Sequence, residues 1–231
     1  MSSSSSLHAP PARFANAARV HQSLTAGIEK RVLLWIAARI PYSVNSDHLT
    51  VFGFVAQILA GAAYAVAGHH LRALWLVNFF LLLNWVGDSL DGTVARLRGR
   101  QRPRYGFYVD HIADTFGALA LIAGMALSQF VHWPVAVAML VCFYVLSIES
   151  YLAAYTIGRF HLSHGLFGPT EIRILLAIGN AVLISHRCVQ FAGRTFLLFD
   201  VGGFIAIIGM ASMALNAALR HTAELYRAET L

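Results

Sequence analysis

Four aspartates carry the most legible chemistry of this chain. Asp88 and Asp91 stand three apart and Asp110 and Asp114 four apart, so each pair falls on one face of a helix. All four lie in or beside apolar segments of membrane length, where a carboxylate is costly and usually functional. Two facing carboxylate pairs offer an all-oxygen site for a hard cation. Gly92, Ala95 and Gly106 between them let a flat or charged ligand approach the backbone, and Arg96 is a donor suited to phosphate. The pattern predicts a metal site built for a diphosphate.

The elements that must position these residues are membrane helices. The 231-residue chain is 58% hydrophobic and 12% charged, with a mean hydropathy of +0.62, which excludes an ordinary soluble domain. Six segments approach the roughly 20 residues needed to cross a bilayer: about 50–68, 73–95, 106–130, 132–157, 170–187 and 197–219. The expected fold is all-α and polytopic, with six transmembrane helices and an N-terminal interfacial helix. Residues 1–22 read as a disordered arm, since the start MSSSSS has no apolar core followed by a cleavage site. One membrane domain then fills 23–231. Residues 24–40 favour a helix that stops at Pro41 and is too short to span; Ile28, Val32, Trp35 and Ile36 form its apolar stripe, with Arg39 falling on it.

Orientation follows the arginines. Arg13, Arg19, Lys30, Arg31 and Arg39 precede the first span and Arg96, Arg98, Arg100, Arg102 and Arg104 fill the second connection, whereas the opposite loops hold Arg72, Arg187 and Arg194. Both termini and the aspartates are therefore expected on the cytoplasmic face of an inner membrane. The net charge of +6 reflects this bias and attraction to anionic lipid, and nucleic-acid binding is not expected. Cys142 within a span and Cys188 in an outer loop suggest no disulfide framework.

Depth brings the pairs together. At a rise of about 1.5 Å per residue, Asp88 lies roughly 10 to 12 Å inside the second span and Asp114 about 12 Å inside the third. The short connection Leu97 to Tyr105 forces an antiparallel hairpin. Four clustered carboxylates repel, so a divalent cation, Mg²⁺ or Mn²⁺, is the cheaper solution. Salt bridges to the arginine-rich connection would explain Asp91 and Asp110 near the surface, but not the deeper Asp88 and Asp114.

The series Asp88, Asp91, Gly92, Ala95, Arg96, Gly106, Asp110, Asp114 resembles the signature of the CDP-alcohol phosphotransferase (CDP-alcohol phosphatidyltransferase) family, with every fixed position filled. The resemblance implies six membrane helices, an interfacial N-terminal helix, a cytoplasm-facing site and transfer of a substituted phosphate from a CDP-linked donor to an alcohol with release of CMP. It implies that Asp88, Asp91 and Asp110 hold one or two metals and that Asp114 assists them and acts as general base. Gly92, Ala95, Arg96 and Gly106 would shape the CDP pocket. Many members carry Pro-Asn-x-Leu-Thr before the first span. Residues 46–50 read SDHLT here, matching at Thr50 and departing at Ser46 and Asp47. Asp47 or Thr50 would otherwise serve as a helix cap. The family also commonly forms homodimers.

On the acceptor side, Glu149 is placed at the depth of Asp114. Arg159, Glu171 and Arg173 follow, with Tyr151, Tyr155 and the turn Gly168-Pro169. Acidic residues there would favour a cationic choline or ethanolamine group, and arginines a phosphorylated acceptor. The stretch from Glu149 to Glu171 is loosely similar to choline and ethanolamine phosphotransferases. Glu171 equally suits a helix start. His161 and His164 lack a further metal ligand. Asp200 falls at the outer end of the sixth span as an interfacial or capping residue, and Gly202, Gly203 and Gly209 with Ala206 offer close packing for the last helix.

The leading expectation is phosphatidyl transfer from CDP-diacylglycerol in phospholipid biosynthesis, with a CDP-choline or CDP-ethanolamine phosphotransferase acting on diacylglycerol as the alternative. An aspartate-rich membrane prenyltransferase would place its acidic motifs apart on a longer bundle. A cation transporter gives no reason for Gly92, Ala95 and Arg96.

Overall fold

Helix boundaries follow local chemistry in the computed structural model, which describes residues 18–20, 26–161, 168–191 and 193–229. Helix α1 covers Ala26–Ala37, α2 Ser46–Ala67, α3 Ala73–Leu97, α4 Pro103–Leu127, α5 Trp133–Thr156, α6 Pro169–Ser185 and α7 Leu198–Ala228. Prolines occupy the first turns of α4, α5 and α6, where the missing N–H costs nothing. The cap of α2 is Asn45 rather than Asp47 or Thr50. Its side chain accepts from the His48 amide at 3.1 Å while His48 Nδ1 accepts from the Asn45 amide at 3.3 Å, a reciprocal pairing that satisfies two otherwise orphaned donors.

Five helices, α2, α3, α4, α5 and α7, are long and apolar enough to cross a membrane. The remaining expected span, α6, has 17 residues and is about 26 Å long, short of the expected length. Two polar stations show how it runs. Arg173 meets Asp88 and Asn84 near the C-terminal half of α3, and Asn180 bonds Asn78 at 2.7 Å and Tyr64 at 2.8 Å. Helix α6 thus lies antiparallel along α3, from the aspartate end towards the opposite end. There it yields to a hairpin, β3 (Cys188–Phe191) antiparallel to β4 (Arg194–Leu197), turned at Gly193 with φ +75°, a backbone state that favours glycine. Within the arm expected to be disordered, β1 (Ala18–Val20) pairs in parallel with β2 (Arg159–His161), so its backbone groups find partners; residues 1–17 and 21–22 lie outside the described residues. Helix α7 has 31 residues, about 47 Å, and continues past the expected end at 219.

Backbone-to-backbone contact fixes α2 against two neighbours. A Cβ at Gly87 would come within 2.6 Å of Gly53, and one at Gly124 within 1.9 Å of the Gly61 carbonyl oxygen. Glycine is required because any side chain would separate the axes. The larger core cluster, with Tyr64, Leu74, Val77, Leu183 and Phe199, lies towards the end opposite the aspartates. Tyr64→Phe removes its hydrogen bond to Asn180 Oδ1 in a fully buried setting. A loss of about 1–3 kcal/mol, read as a lower unfolding midpoint in detergent, is expected with CMP-releasing activity retained, because Tyr64 lies 14 residues and about 21 Å along α2 from Thr50.

Helix α1 has two apolar faces. Leu33 and Ala37 are buried with Leu49, Leu90 and Val94, whereas Val32 and Trp35 of the expected stripe face outward; the Ile28 side chain lies outside the described residues. Arg39 on that stripe is accommodated by stacking 3.9 Å over the Trp35 ring and donating to its carbonyl at 2.8 Å.

Candidate active site

The signature residues sit where α2, α3 and α4 meet. Helix α3 ends at Leu97, and Gly99 just beyond its cap takes φ +62°, the left-handed position that stops a helix. Beyond it Pro103 starts α4, so the aspartates return at matching depth. Arg98 pins the turn by donating to the carbonyls of Ile40 at 3.0 Å, Pro41 at 3.1 Å and Val44. Arg102 pairs with Asp47 at the mouth, and that carboxylate holds the guanidinium still more firmly protonated.

Two adjoining cavities open between these elements. The outer, about 430 Å³, is lined by Thr50, Asp91, Gly92, Ala95, Arg96, Gly106 and Asp110, with Tyr151, Ala154 and Tyr155 of α5 as its far wall. The inner is a crevice of about 10 Å³, bordered by Asp88, Asp91, Asp110 and Asp114 together with Thr50, Gln57 and Asn84; its size is of the order of one water or ion. All eight signature positions therefore line one continuous region.

Each glycine has a local reason. Arg96 folds back over Gly92, where a Cβ would sit 3.2 Å from its guanidinium, and donates to Thr93 Oγ1 at 3.1 Å. Gly106 has nothing within 4 Å of a Cβ position and forms bare cavity wall. Gly106→Val should therefore leave the unfolding midpoint within about 0.5 kcal/mol of wild type while weakening CDP binding about tenfold, as measured by equilibrium dialysis against thermal melting.

Two of the carboxylates have protein partners that position them. Asp88 Oδ2 accepts from Arg173 at 2.8 Å, and Asp91 accepts from Thr50 Oγ1 at 2.6 Å and from the Gly92 amide. Among the described residues no group of three or more His, Cys, Asp or Glu side chains is arranged so as to hold a metal ion. Asp88 thus has its partner on α6, and Asp91 has partners on α2 and on its own helix. The donor set nevertheless fits a hard divalent cation, because four carboxylates border one small polar crevice.

Of the four residues expected to select the acceptor, Arg173 stands at the aspartates. Glu149 faces α7, 2.5 Å from His221 Nδ1. Glu171 is buried and accepts from the Gly168 amide at 2.9 Å, capping α6. The side chain of Arg159 lies outside the described residues, as do that of His161 and the whole of His164. Asp200 accepts from the His132 amide at 2.8 Å and lies 2.5 Å from its ring Nδ1, so it caps α5. Gly203 packs against Val135 and Met139 of α5, whereas Gly202 and Gly209 have nothing within 4 Å.

Three site-adjacent residues escaped sequence reading. Asn84 donates to the Gly53 carbonyl at 3.0 Å and to Gln57 Oε1 at 3.1 Å; its place one turn before Asp88 within an apolar run was a usable signal. Gln57, on α2, was visible only as one amide in an apolar helix. Glu29 of α1 accepts from Trp85 Nε1 and Thr170 Oγ1, each at 3.0 Å, tying α1, α3 and α6 together, and partners so distant in sequence leave no local trace.

A family model for CDP-alcohol phosphatidyltransferase matches residues 44–218, which span α2 through most of α7. The crystal structure of the phosphatidylinositol phosphate synthase of Mycobacterium tuberculosis in its apo form shares the fold, with a TM-score of 0.57 and 20% identity over 84% of this chain and 94% of that one. No curated protein matches. With the signature gathered at one site and the family match running from the first membrane-length helix to the last, this chain belongs to the CDP-alcohol phosphatidyltransferase family.

Proposed function

We propose that the protein transfers a phosphatidyl group from CDP-diacylglycerol to the hydroxyl of a polar alcohol and releases CMP. The coarser activity follows from the family: it is a membrane transferase of phospholipid biosynthesis, taking a CDP-alcohol as donor. The observation that carries the finer reading is that all eight signature residues line the two adjoining cavities. The outer one has the volume of a small-molecule site.

Asp88, Asp91, Asp110 and Asp114 would hold one or two Mg²⁺ or Mn²⁺ ions. Such an ion neutralises charge on the diphosphate and so makes CMP a better leaving group. Asp114 takes the proton of the acceptor hydroxyl as its oxygen bonds to the lipid-bearing phosphorus and the bond from that phosphorus to CMP breaks. Thr50 orients Asp91 through its 2.6 Å hydrogen bond. Arg96 offers its guanidinium to the nucleotide phosphates above the bare backbone of Gly92 and Gly106. Glu149 and Glu171, bonded to His221 and to the Gly168 amide, support helices α5 and α6.

The reading includes a single membrane domain over 23–231 in which α6 completes six spans and α1 lies at the interface. The aspartate end and both termini face the cytoplasm, supported by the arginine excess there. A homodimer is part of the reading, as the resemblance to the family implies.

The test supplies purified protein with Mg²⁺ or Mn²⁺, CDP-diacylglycerol and a pool of polar alcohols, and in parallel CDP-choline with diacylglycerol. Metal-dependent CMP release is expected in the first arm, with the acceptor identified by mass spectrometry of the lipid product. Release in the second arm alone reassigns the donor, and release in neither overturns the proposal.

A further inference from the structure

The inner crevice is a costly arrangement without cations, because four carboxylates share a water-poor pocket at membrane depth. Arg173, on a helix outside the signature hairpin, contacts Asp88, one of the residues that border this crevice. Arg173 Nη2 lies 2.8 Å from Asp88 Oδ2, and the two side chains are 15% and 27% exposed. The guanidinium is aimed as well as attracted, since its Nε donates to Asn84 Oδ1 at 2.8 Å. Asn84 itself is 4% exposed and fixed through its Nδ2 to the Gly53 carbonyl and Gln57. An amide braced by α2 thus presents Arg173 of α6 to Asp88 of α3.

From this geometry we infer that Arg173 is a built-in counter-cation of Asp88, and that metal loading is an exchange in which Asp88 gives up the guanidinium to take the divalent ion. The inference rests on the metal reading given above and adds to it what holds the Asp88 carboxylate before an ion arrives. One of the four, Asp88, is held by a charged partner of higher directional specificity than water. One edge of the guanidinium is shared between the two partners, Nε on the Asn84 amide oxygen and Nη2 on the Asp88 carboxylate, so an ion arriving at Asp88 displaces one hydrogen bond while the other still holds the side chain. A cost follows: a unit positive charge beside a divalent site opposes metal binding by Coulomb repulsion and by competition for the ligand. The resting protein thereby avoids an uncompensated carboxylate cluster, and its metal affinity is set below what the aspartates alone would give.

The test measures Mn²⁺ binding by electron paramagnetic resonance, without nucleotide, on the full chain in nanodiscs. Arg173→Gln should bind Mn²⁺ at least about tenfold more tightly than wild type, and Arg173→Lys, which keeps the charge, should stay within about threefold of it. Equal or weaker binding by Arg173→Gln in a protein that melts like wild type overturns the exchange, as does tightening by Arg173→Lys to the same degree. Wild-type protein supplies a second readout that needs no variant. Phenylglyoxal modification of Arg173, followed by peptide mass spectrometry, should accelerate severalfold on adding Mn²⁺, as the guanidinium leaves Asp88; unchanged or slower modification with Mn²⁺ bound overturns the inference. Absence of Mn²⁺ binding in both wild type and Arg173→Gln would instead bring down the metal reading on which it stands.

Discussion

Asp114→Asn is expected to lower the rate of CMP release by about 10²- to 10⁴-fold, the scale of a lost general base, while CDP binding persists. Asparagine keeps the size and shape of the side chain but cannot accept a proton from an attacking hydroxyl. Asp114 borders the inner crevice and not the larger outer cavity, so the nucleotide should be held largely by residues the substitution leaves alone. The measurement is the initial rate at saturating Mg²⁺ or Mn²⁺ beside equilibrium dialysis of labelled CDP. Asp110→Asn makes the contrast, because Asp110 lines both cavities: its defect should be relieved in part by raising the metal concentration. An Asp114→Asn enzyme that recovers its rate at high metal would be a damaged ligand set and not a missing base.

The largest effect on the fold is expected from Gly124→Ala. The added methyl carbon would lie 1.9 Å from the Gly61 carbonyl oxygen and 2.5 Å from its carbon, whereas carbon and oxygen tolerate an approach of about 3.3 Å. Helices α2 and α4 must then separate by more than an ångström, and no rotamer change relieves the clash because both partners are backbone. Overpacking of this kind costs about 1–3 kcal/mol or more, so the unfolding midpoint should fall steeply or the protein fail to accumulate in the membrane. Because Thr50 on α2 and Asp114 on α4 border the same crevice, CDP binding and CMP release should be lost together, unlike the separated losses of Asp114→Asn. Gly202→Ala, which meets nothing within 4 Å, should be within about 0.5 kcal/mol of wild type and serves as control.

How much was legible in the sequence depended on whether the information was local. Span limits could be counted along the chain, because the bilayer imposes a minimum apolar length: the segment expected at 132–157 is helix Trp133–Thr156, and that at 73–95 is Ala73–Leu97. The aspartate pairs were legible for the same reason, since helical periodicity alone puts Asp88 with Asp91 and Asp110 with Asp114. The cap of α2, expected at Asp47 or Thr50, is two or five residues earlier because Asn45 works through a histidine, His48, at the position where glutamate or glutamine is usual. The segment expected at 170–187 is helix Pro169–Ser185, followed from Cys188 by a hairpin that sequence reading left as an outer loop. Arg173 was expected at the acceptor, yet its partner Asp88 lies 85 residues away. Glu29, joined to Thr170 across 141 residues, carried no signal at all. Pairings of that kind are decided by tertiary packing, which neither composition nor spacing records.

The two glycine contacts of α2 also divide the protein mechanically. Where Gly53 meets Gly87 and Gly61 meets Gly124, backbone presses on backbone with no flexible side chain between, so α2, α3 and α4 move as one stiff body. The aspartates ride on that body and keep their spacing through thermal motion. The far wall of the outer cavity belongs to α5, which is bound to α7 by Gly203 against Val135 and by Glu149 against His221, and to α4 through side-chain contacts such as the Tyr144 hydroxyl on the Thr115 carbonyl at 3.0 Å. The floor of the outer cavity is thus set by direct backbone contact, and its far wall by a helix joined to that floor through side chains.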